Sequence, residues 1–384
     1  MGTLDHLQQL REAALERRRD RLRAILQEAG LEALIAYGTG NHYLIGMNPA
    51  WYYSGLKQLG PHMAMILPAE GEPFTVITPQ WELARAQERI GVGAIVACEP
   101  ADFLAELGRA LDARRIDRRR VAFAGGIPPR HITEGVSQLL GGAPHDGDGI
   151  ASDMARIRDD WSLACTNKAI EIAEQSYDWM LERARPGMTE LELGVELDIQ
   201  IRRLGAEDNF QLFSGALHNR SVHRPTDRIL QKGDVILAEI TPGVEGEFMQ
   251  ICRTAVLGQA SELQKEKFAL LDGALKAGVA IARPGTRVDD IVEAMNAPIN
   301  AAGYGQYTKP PYMRTRGHSM SLGSMDPEIA LGKGQVLMEG MAFVMHPNQY
   351  IPDTGYMLCG EPVFVEADGA RPMTRRYGTL DSIV

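Results

Sequence analysis

Leu230-Gln231-Lys232-Gly233-Asp234-Val235-Ile236-Leu237-Ala238-Glu239 decides the fold, because the chain writes this stretch twice. The second copy is Leu337-Met338-Glu339-Gly340-Met341-Ala342-Phe343-Val344-Met345-His346, and one constant spacing relates Leu to Leu, Gly to Gly and Glu239 to His346. In both copies a glycine turn leads into a short apolar run that reads as a buried strand. Arg185-Pro186-Gly187 precedes the first copy and Arg283-Pro284-Gly285 the second, each lying between two helical patterns. A weak repeat of helix, RPG turn, helix and strand predicts two halves sharing one sheet, with Glu239 and His346 at equivalent places near its centre.

Upstream, the pattern changes. Between residue 31 and about residue 150, apolar runs (Ala33 to Tyr37, Met63 to Leu67, Phe74 to Ile77, Ala94 to Ala97, Val121 to Phe123) alternate with helical stretches (Trp81 to Ile90, Ala101 to Ala113, His131 to Leu140). This alternation predicts a separate α/β domain. A turn-rich segment, Gly141 to Gly149, then gives way to a long amphipathic pattern from Asp153 through Arg183, so the expected domains are 1–153 and 154–384. The first thirty residues or so, with Leu10, Leu22, Ile25 and Leu26 set among Arg and Glu, read as an amphipathic helix, neither a signal peptide nor a membrane span.

Composition limits the partners. Of 384 residues 45% are apolar and 23% charged, the ordinary mix of a folded protein, and 40 basic against 50 acidic residues leave a net charge of −10. Such a surface disfavours nucleic acid and anionic membranes, and a small molecule is the expected partner. Cys98, Cys165, Cys252 and Cys359 are far apart with no C-x-x-C pair, which fits a reduced, cytoplasmic setting. Gly38-Thr39-Gly40-Asn41 reads as a turn rather than a phosphate cradle, and neither G-x-S-x-G nor H-E-x-x-H occurs.

Several polar residues are candidates for chemistry. Glu239 sits just beyond an apolar strand and needs a partner, a metal or a lined cavity. His346 closes the equivalent strand, His318 lies in Arg316-Gly317-His318-Ser319, and Cys359 in Tyr356-Met357-Leu358-Cys359-Gly360-Glu361. Taken singly, each is also readable as a satisfied core or rim residue. His223, in the polar loop Ser221 to Asp227, is a candidate general acid/base.

At these residues the chain resembles the pita-bread superfamily of creatinase, prolidase, aminopeptidase P and methionine aminopeptidase. The landmarks are His223-Arg224-Pro225-Thr226-Asp227-Arg228 before Lys232-Gly233-Asp234, then Arg253-Thr254, Gly317-His318-Ser319, Glu339-Gly340-Met341 and the hairpin from Gly355 to Val365. The resemblance implies an α/β (α+β) protein: an N-terminal creatinase-type domain, then a pita-bread domain with a pseudo-twofold internal repeat. It also implies a homodimer in which the N-terminal domain of one subunit reaches over the other's site, so that Trp51, Tyr52 and Tyr53 are candidates to close a neighbour's pocket.

The family's metallopeptidases hold two metals through two Asp, one His and two Glu; by the resemblance those positions are here Glu239, Gln250, His318, His346 and Cys359. Creatinase works without metal, and His223 matches its catalytic His, while the two carboxylates that hold creatine's guanidinium correspond to Cys252 and His346. The expectation is therefore a metal-independent, creatinase-like hydrolase with no cofactor. It would cleave a C–N bond in a small neutral or carboxylate-bearing molecule, with His223, Glu239, His318 and His346 as catalytic groups. Gln250, Cys252, Cys359 and Glu361 would line the pocket, and Arg314 and Arg316 would fork a substrate carboxylate. Two alternatives stand beside it: a single zinc on Glu239, His318, His346 and Cys359, and a non-catalytic relative kept for binding.

Overall fold

A computed structural model of the protein describes residues 2–40, 46–313 and 315–384. Contacts divide the chain into two compact units, Met1–Trp161 with Ser321–Met325, and Ser162–Met320 with Asp326–Val384.

Unit 1 opens on the long helix α1 (Gly2–Glu28) and continues with β1 (Ala33–Gly38), α2 (Pro49–Ser54), β2 (Met63–Pro68), β3 (Phe74–Ile77), α3 (Leu83–Ile90), β4 (Ala94–Ala97), α4 (Phe103–Ala113), β5 (Val121–Ala124), α5 (Arg130–Leu140), β6 (His145–Asp146) and α6 (Gly147–Ala155). The apolar runs become one mixed six-stranded sheet in the order β4-β3-β2-β1-β5-β6. Strands β1 and β2 are buried along their whole length, because helices cover both faces and every residue meets apolar neighbours. Asn48 to Ser54, which reads as a loop, is mostly helix α2. Asn48 Oδ1 accepts from Trp51 N, Pro49 fits the first turn, and Gly55 closes the helix at φ 67°. Residues 321–325 belong here too: Asn48 N donates to Leu322 O, and Leu322 joins the cluster around Trp51, Tyr52 and Tyr53.

Unit 2 contains α7 (Asp160–Arg183), α8 (Glu190–Arg203), β7 (Asp208–Ala216), β8 (Val235–Val244), β9 (Glu247–Phe248), β10 (Ile251–Leu257), α9 (Glu262–Ile281), α10 (Val288–Ile299), β11 (Gly317–His318), β12 (Ala342–Met345), β13 (Gln349–Ile351), β14 (Gly355–Met357), β15 (Glu361–Val365), β16 (Ala370–Pro372) and β17 (Leu380–Ile383). The sequence repeat is visible in its hydrogen bonds. Gly187 N donates to Leu230 O and Gly285 N to Leu337 O, both at 2.9 Å; Leu230 N returns to Met188 O and Leu337 N to Thr286 O, both at 2.8 Å. Gly187 and Gly285 hold φ of 95° and 90°, where a side chain is strained. Each RPG turn thus clamps the residue that leads into its half's central strand.

The two half-sheets are β17-β10-β8-β7, with β9 on β8, and β11-β12-β15-β16. They are joined where Cys252 and Gly360 exchange backbone hydrogen bonds, 3.2 Å from Cys252 N and 3.0 Å from Gly360 N. Arg253 and Thr254 fasten the seam: Arg253 Nη1 donates to Gly360 O at 2.6 Å, and Thr254 Oγ1 both donates to Leu358 O and accepts from Leu358 N at 2.8 Å. The architecture is the mixed α/β pita-bread arrangement with a duplicated half. Among the described residues no helix is long and apolar enough to cross a membrane, and all four cysteines are buried.

Candidate active site

One row of directly opposed residues crosses the seam. Glu239 faces Cys252, Cys252 faces Gly360, and Met345 faces Glu361, so the register carried one step further sets His346 opposite Gly360. Opposed residues in a sheet share a face, and alternate residues along a strand return to it. Glu239, Cys252 and His346 therefore point the same way, joined by Gln250, two residues before Cys252. His318 shares that face because it opposes Val344, two residues before His346. The rings of His318 and His346 meet edge to face at 5.1 Å.

Glu239 is the centre of this row. Asn348 Nδ2 donates to its Oε1 at 3.2 Å and Gln250 Nε2 to its Oε2 at 3.5 Å, while Cys252 Sγ lies 3.5 Å from Gln250 Oε1. Asn348 is itself fixed, its Oδ1 accepting from Cys359 N at 2.9 Å. Burial raises the carboxyl of Glu239 to about 7 and pushes the Cys252 thiol well up, the latter helped by the Glu239 charge. Burial lowers His318, and burial with the neighbouring His318 and Arg316 lowers His346 to about 3, so both imidazoles are neutral near pH 7. Among the described residues His318 Nδ1 has no hydrogen-bond partner. The face thus offers one carboxyl that changes charge near neutrality, two neutral imidazoles and two amides.

Asn348, Tyr356 and Gly360 belong to the site although the sequence reading passed over them. The half-buried Tyr356 has its hydroxyl raised by burial and then by the charges of Glu239 and Cys252, which places it near them. Gly360 leaves room for the row: a Cβ there would lie 2.7 Å from Cys252 Cβ and 2.8 Å from His346 Cβ. The one signal for Asn348 was a polar side chain two residues past His346, on the alternation that returns to the same face.

Other expected site residues lie elsewhere. Cys359 and Glu361 flank Gly360 and so turn to the opposite face of the strand. There Glu361 Oε1 pairs with Arg253 Nη2 at 2.8 Å and its other oxygen accepts from Thr374, while burial raises its carboxyl to about 7. That separation also breaks the expected zinc set of Glu239, His318, His346 and Cys359. Arg316 is fully buried rather than open to a substrate carboxylate. It donates to Asn296 Oδ1 at 2.9 and 2.7 Å, to Asn348 O at 3.1 Å and to Gln349 Oε1 at 2.8 Å, and so positions the segment that carries Asn348. Arg314 lies outside the described residues.

Trp51, Tyr52 and Tyr53 are at most 4% exposed in the core of unit 1, which leaves no side-chain surface for a substrate. His223 is exposed, its Nδ1 bonded to Arg224 O at 2.8 Å. Its carbonyl accepts from Phe213 N, on β7, so its backbone lies a strand beyond β7 from the Glu239 row. His223→Ala is accordingly expected to change turnover less than about threefold, far below the ~100-fold minimum for losing a general base, as steady-state assays would read.

The chain belongs to Metallopeptidase family M24, whose model matches residues 164–369. It is 24% identical to the Xaa-Pro dipeptidase of Pyrococcus horikoshii over 337 residues, 86% of this chain and 92% of that protein. In fold it resembles dipeptidase PepE from Mycobacterium ulcerans (TM-score 0.79, 22% identity, 97% and 98% of the two chains). It also resembles an X-Pro aminopeptidase from Thermotoga maritima MSB8 (TM-score 0.81, 20% identity, 95% and 99%).

Membership in a metallopeptidase family, with relatives named as dipeptidases, corrects the expectation of a metal-independent, creatinase-like hydrolase without cofactor. It corrects the non-catalytic alternative with it; a single zinc stays compatible with the family, though not on the set that includes Cys359. The family name implies a metal. Among the described residues no group of three or more His, Cys, Asp or Glu side chains is placed to hold one; the row itself carries one carboxyl, Glu239, and Glu328, which opposes His318, is paired with Lys333, a set that does not fit a carboxylate-bridged pair.

Proposed function

We propose that the protein hydrolyses the peptide bond of short peptides, dipeptides above all, on the face that carries Glu239. The observation that carries this reading is the placement of one carboxyl, raised to about 7, at the centre of the row within a chain of the metallopeptidase family. A carboxyl poised there is suited to take a proton from an attacking water and return it to the departing nitrogen, because its affinity for the proton matches neutral pH. Asn348 and Gln250 orient its two oxygens. The neutral imidazoles of His318 and His346 supply hydrogen bonds to a carbonyl or an amine without adding charge. The proposal includes a small peptide substrate, a homodimer and a cytoplasmic setting, the last supported by four well-separated cysteines with no C-x-x-C pair.

The test is release of free amino acid from a panel of dipeptides, with and without proline second, assayed with Mn, Co or Zn ions added. Cleavage of members of the panel is the expected result; a protein that cleaves none under any of these ions overturns the reading. Sedimentation at twice the chain's mass checks the dimer.

A further inference from the structure

Four aromatic rings crowd one surface of unit 2. Tyr312 stacks on Tyr350 with centroids 5.8 Å apart and planes 16° from parallel. Tyr307 stands edge-on to both, at 4.9 Å from Tyr312 and 5.6 Å from Tyr350, and His218 meets Tyr350 edge-on at 5.8 Å. These are the favoured geometries of aromatic pairs. Yet the cluster is not sealed: Tyr312 is 48% exposed, His218 is exposed, and Tyr307 and Tyr350 are half-buried.

Its supports are fixed. His218 Nε2 is bonded to Pro352 O at 2.9 Å, and Gln349 Nε2 donates to Tyr307 O at 2.8 Å. Through Gln349 the cluster shares the Arg316 anchor that holds Asn348.

The cluster also has a defined relation to Glu239. Asn348 reaches Glu239, Gln349 turns the other way into the interior, and strand alternation returns Tyr350 to the side of Asn348. Tyr356 opposes Tyr350 across the β13–β14 hairpin and so faces the same way. Two residues of strand span about 7 Å, so the rings begin roughly one substrate residue away from the carboxylate.

We propose that Tyr312, Tyr350 and Tyr307, with His218, form a specificity subsite for a flat aromatic side chain next to the scissile bond. The ring of the substrate lies against the open face of Tyr312, where rings already fixed in place lose little freedom on binding. This inference rests on the peptide-hydrolysis reading for what the substrate is.

The experiment uses dipeptides that differ in one side chain, phenylalanine, alanine or arginine, with each position varied in turn. Calorimetric binding is measured on Glu239→Gln and turnover on the otherwise native chain. Binding is expected to favour the phenylalanine peptide, and Tyr312→Ala to reduce that preference by about fivefold while Tyr312→Phe keeps it, as stacking of about 1 kcal/mol implies. Thermal melting is expected to be the same for both Tyr312 variants, since the ring is half exposed. Equal binding of phenylalanine and alanine peptides, a preference for arginine, or a preference unchanged in Tyr312→Ala each overturns the subsite. Discriminating binding without turnover overturns the hydrolytic reading alone; turnover without discrimination overturns the subsite alone.

Discussion

Glu239→Gln is expected to lower kcat by about 10² to 10⁴, the range for losing a proton-transfer group, while substrate binding changes little because the amide keeps the shape of the side chain. Its pH signature is more specific. The Glu239 carboxyl is raised from 4.5 to about 7 by burial, so the folded state holds this proton more tightly than the unfolded chain does. Its contribution to stability is then fully present below about pH 4.5 and is lost as pH rises toward 7, by about 3 kcal/mol. Catalysis runs the other way, since only the ionised carboxylate accepts a proton: turnover is expected to rise through pH 7 and level off above it. Urea unfolding of the two proteins at pH 5 and pH 8 checks the sign. Glu239→Gln is expected to be nearer to, or above, the native chain in stability at pH 8 and to lose that advantage at pH 5. Equal differences at both pH values would show that Glu239 does not carry the shifted proton. Glu361, also raised to about 7, adds a similar slope to both proteins and cancels in the difference.

Gly360→Ala is expected to cost about 3 kcal/mol, the upper range for overpacking, and to abolish turnover as well. The new methyl would meet the Cβ atoms of Cys252 and His346 at 2.7 and 2.8 Å, and neither can swing away because each is attached to backbone at the seam. Relief requires the two half-sheets to part where Cys252 and Gly360 exchange hydrogen bonds. Gly273→Ala in α9 is the control, since its added methyl meets nothing within 4 Å and is expected to stabilise by about 0.5 to 1 kcal/mol. Chemical denaturation separates the two cases. A Gly360→Ala protein as stable and active as the native chain would show that the row is looser than its register implies.

How much of this was legible in the sequence depends on how local each signal is. The duplicated half was readable because its glycine turns and apolar runs are contiguous, and the same was true of the strands of unit 1. Glu239 and His346 were readable as polar residues closing buried strands, whereas Gln250 was readable only through the family resemblance and His318 only from its place in Arg316-Gly317-His318-Ser319. Cys359 and Glu361 were misassigned because which face a strand residue takes depends on a one-residue register that only the pairing of Cys252 with Gly360 fixes. Arg316 was misjudged because its partners, Asn296 and Gln349, lie far along the chain. The Asn48-Pro49 cap was overlooked in favour of the aromatic residues that follow it.

Residues 321–325 lend the fold one more property. They follow closely on His318 in sequence, yet Leu322 completes the cluster around Trp51, and a Cβ on Gly323 would collide with Ala155 and Tyr52. The polypeptide thus leaves unit 1, comes back to it once, and leaves again. A protein cut after residue 161 would yield no intact first half, only one with a void where Leu322 belongs and an Asn48 amide deprived of its acceptor. During synthesis, the early part of the chain must wait for more than 150 further residues to emerge before its own interior can close.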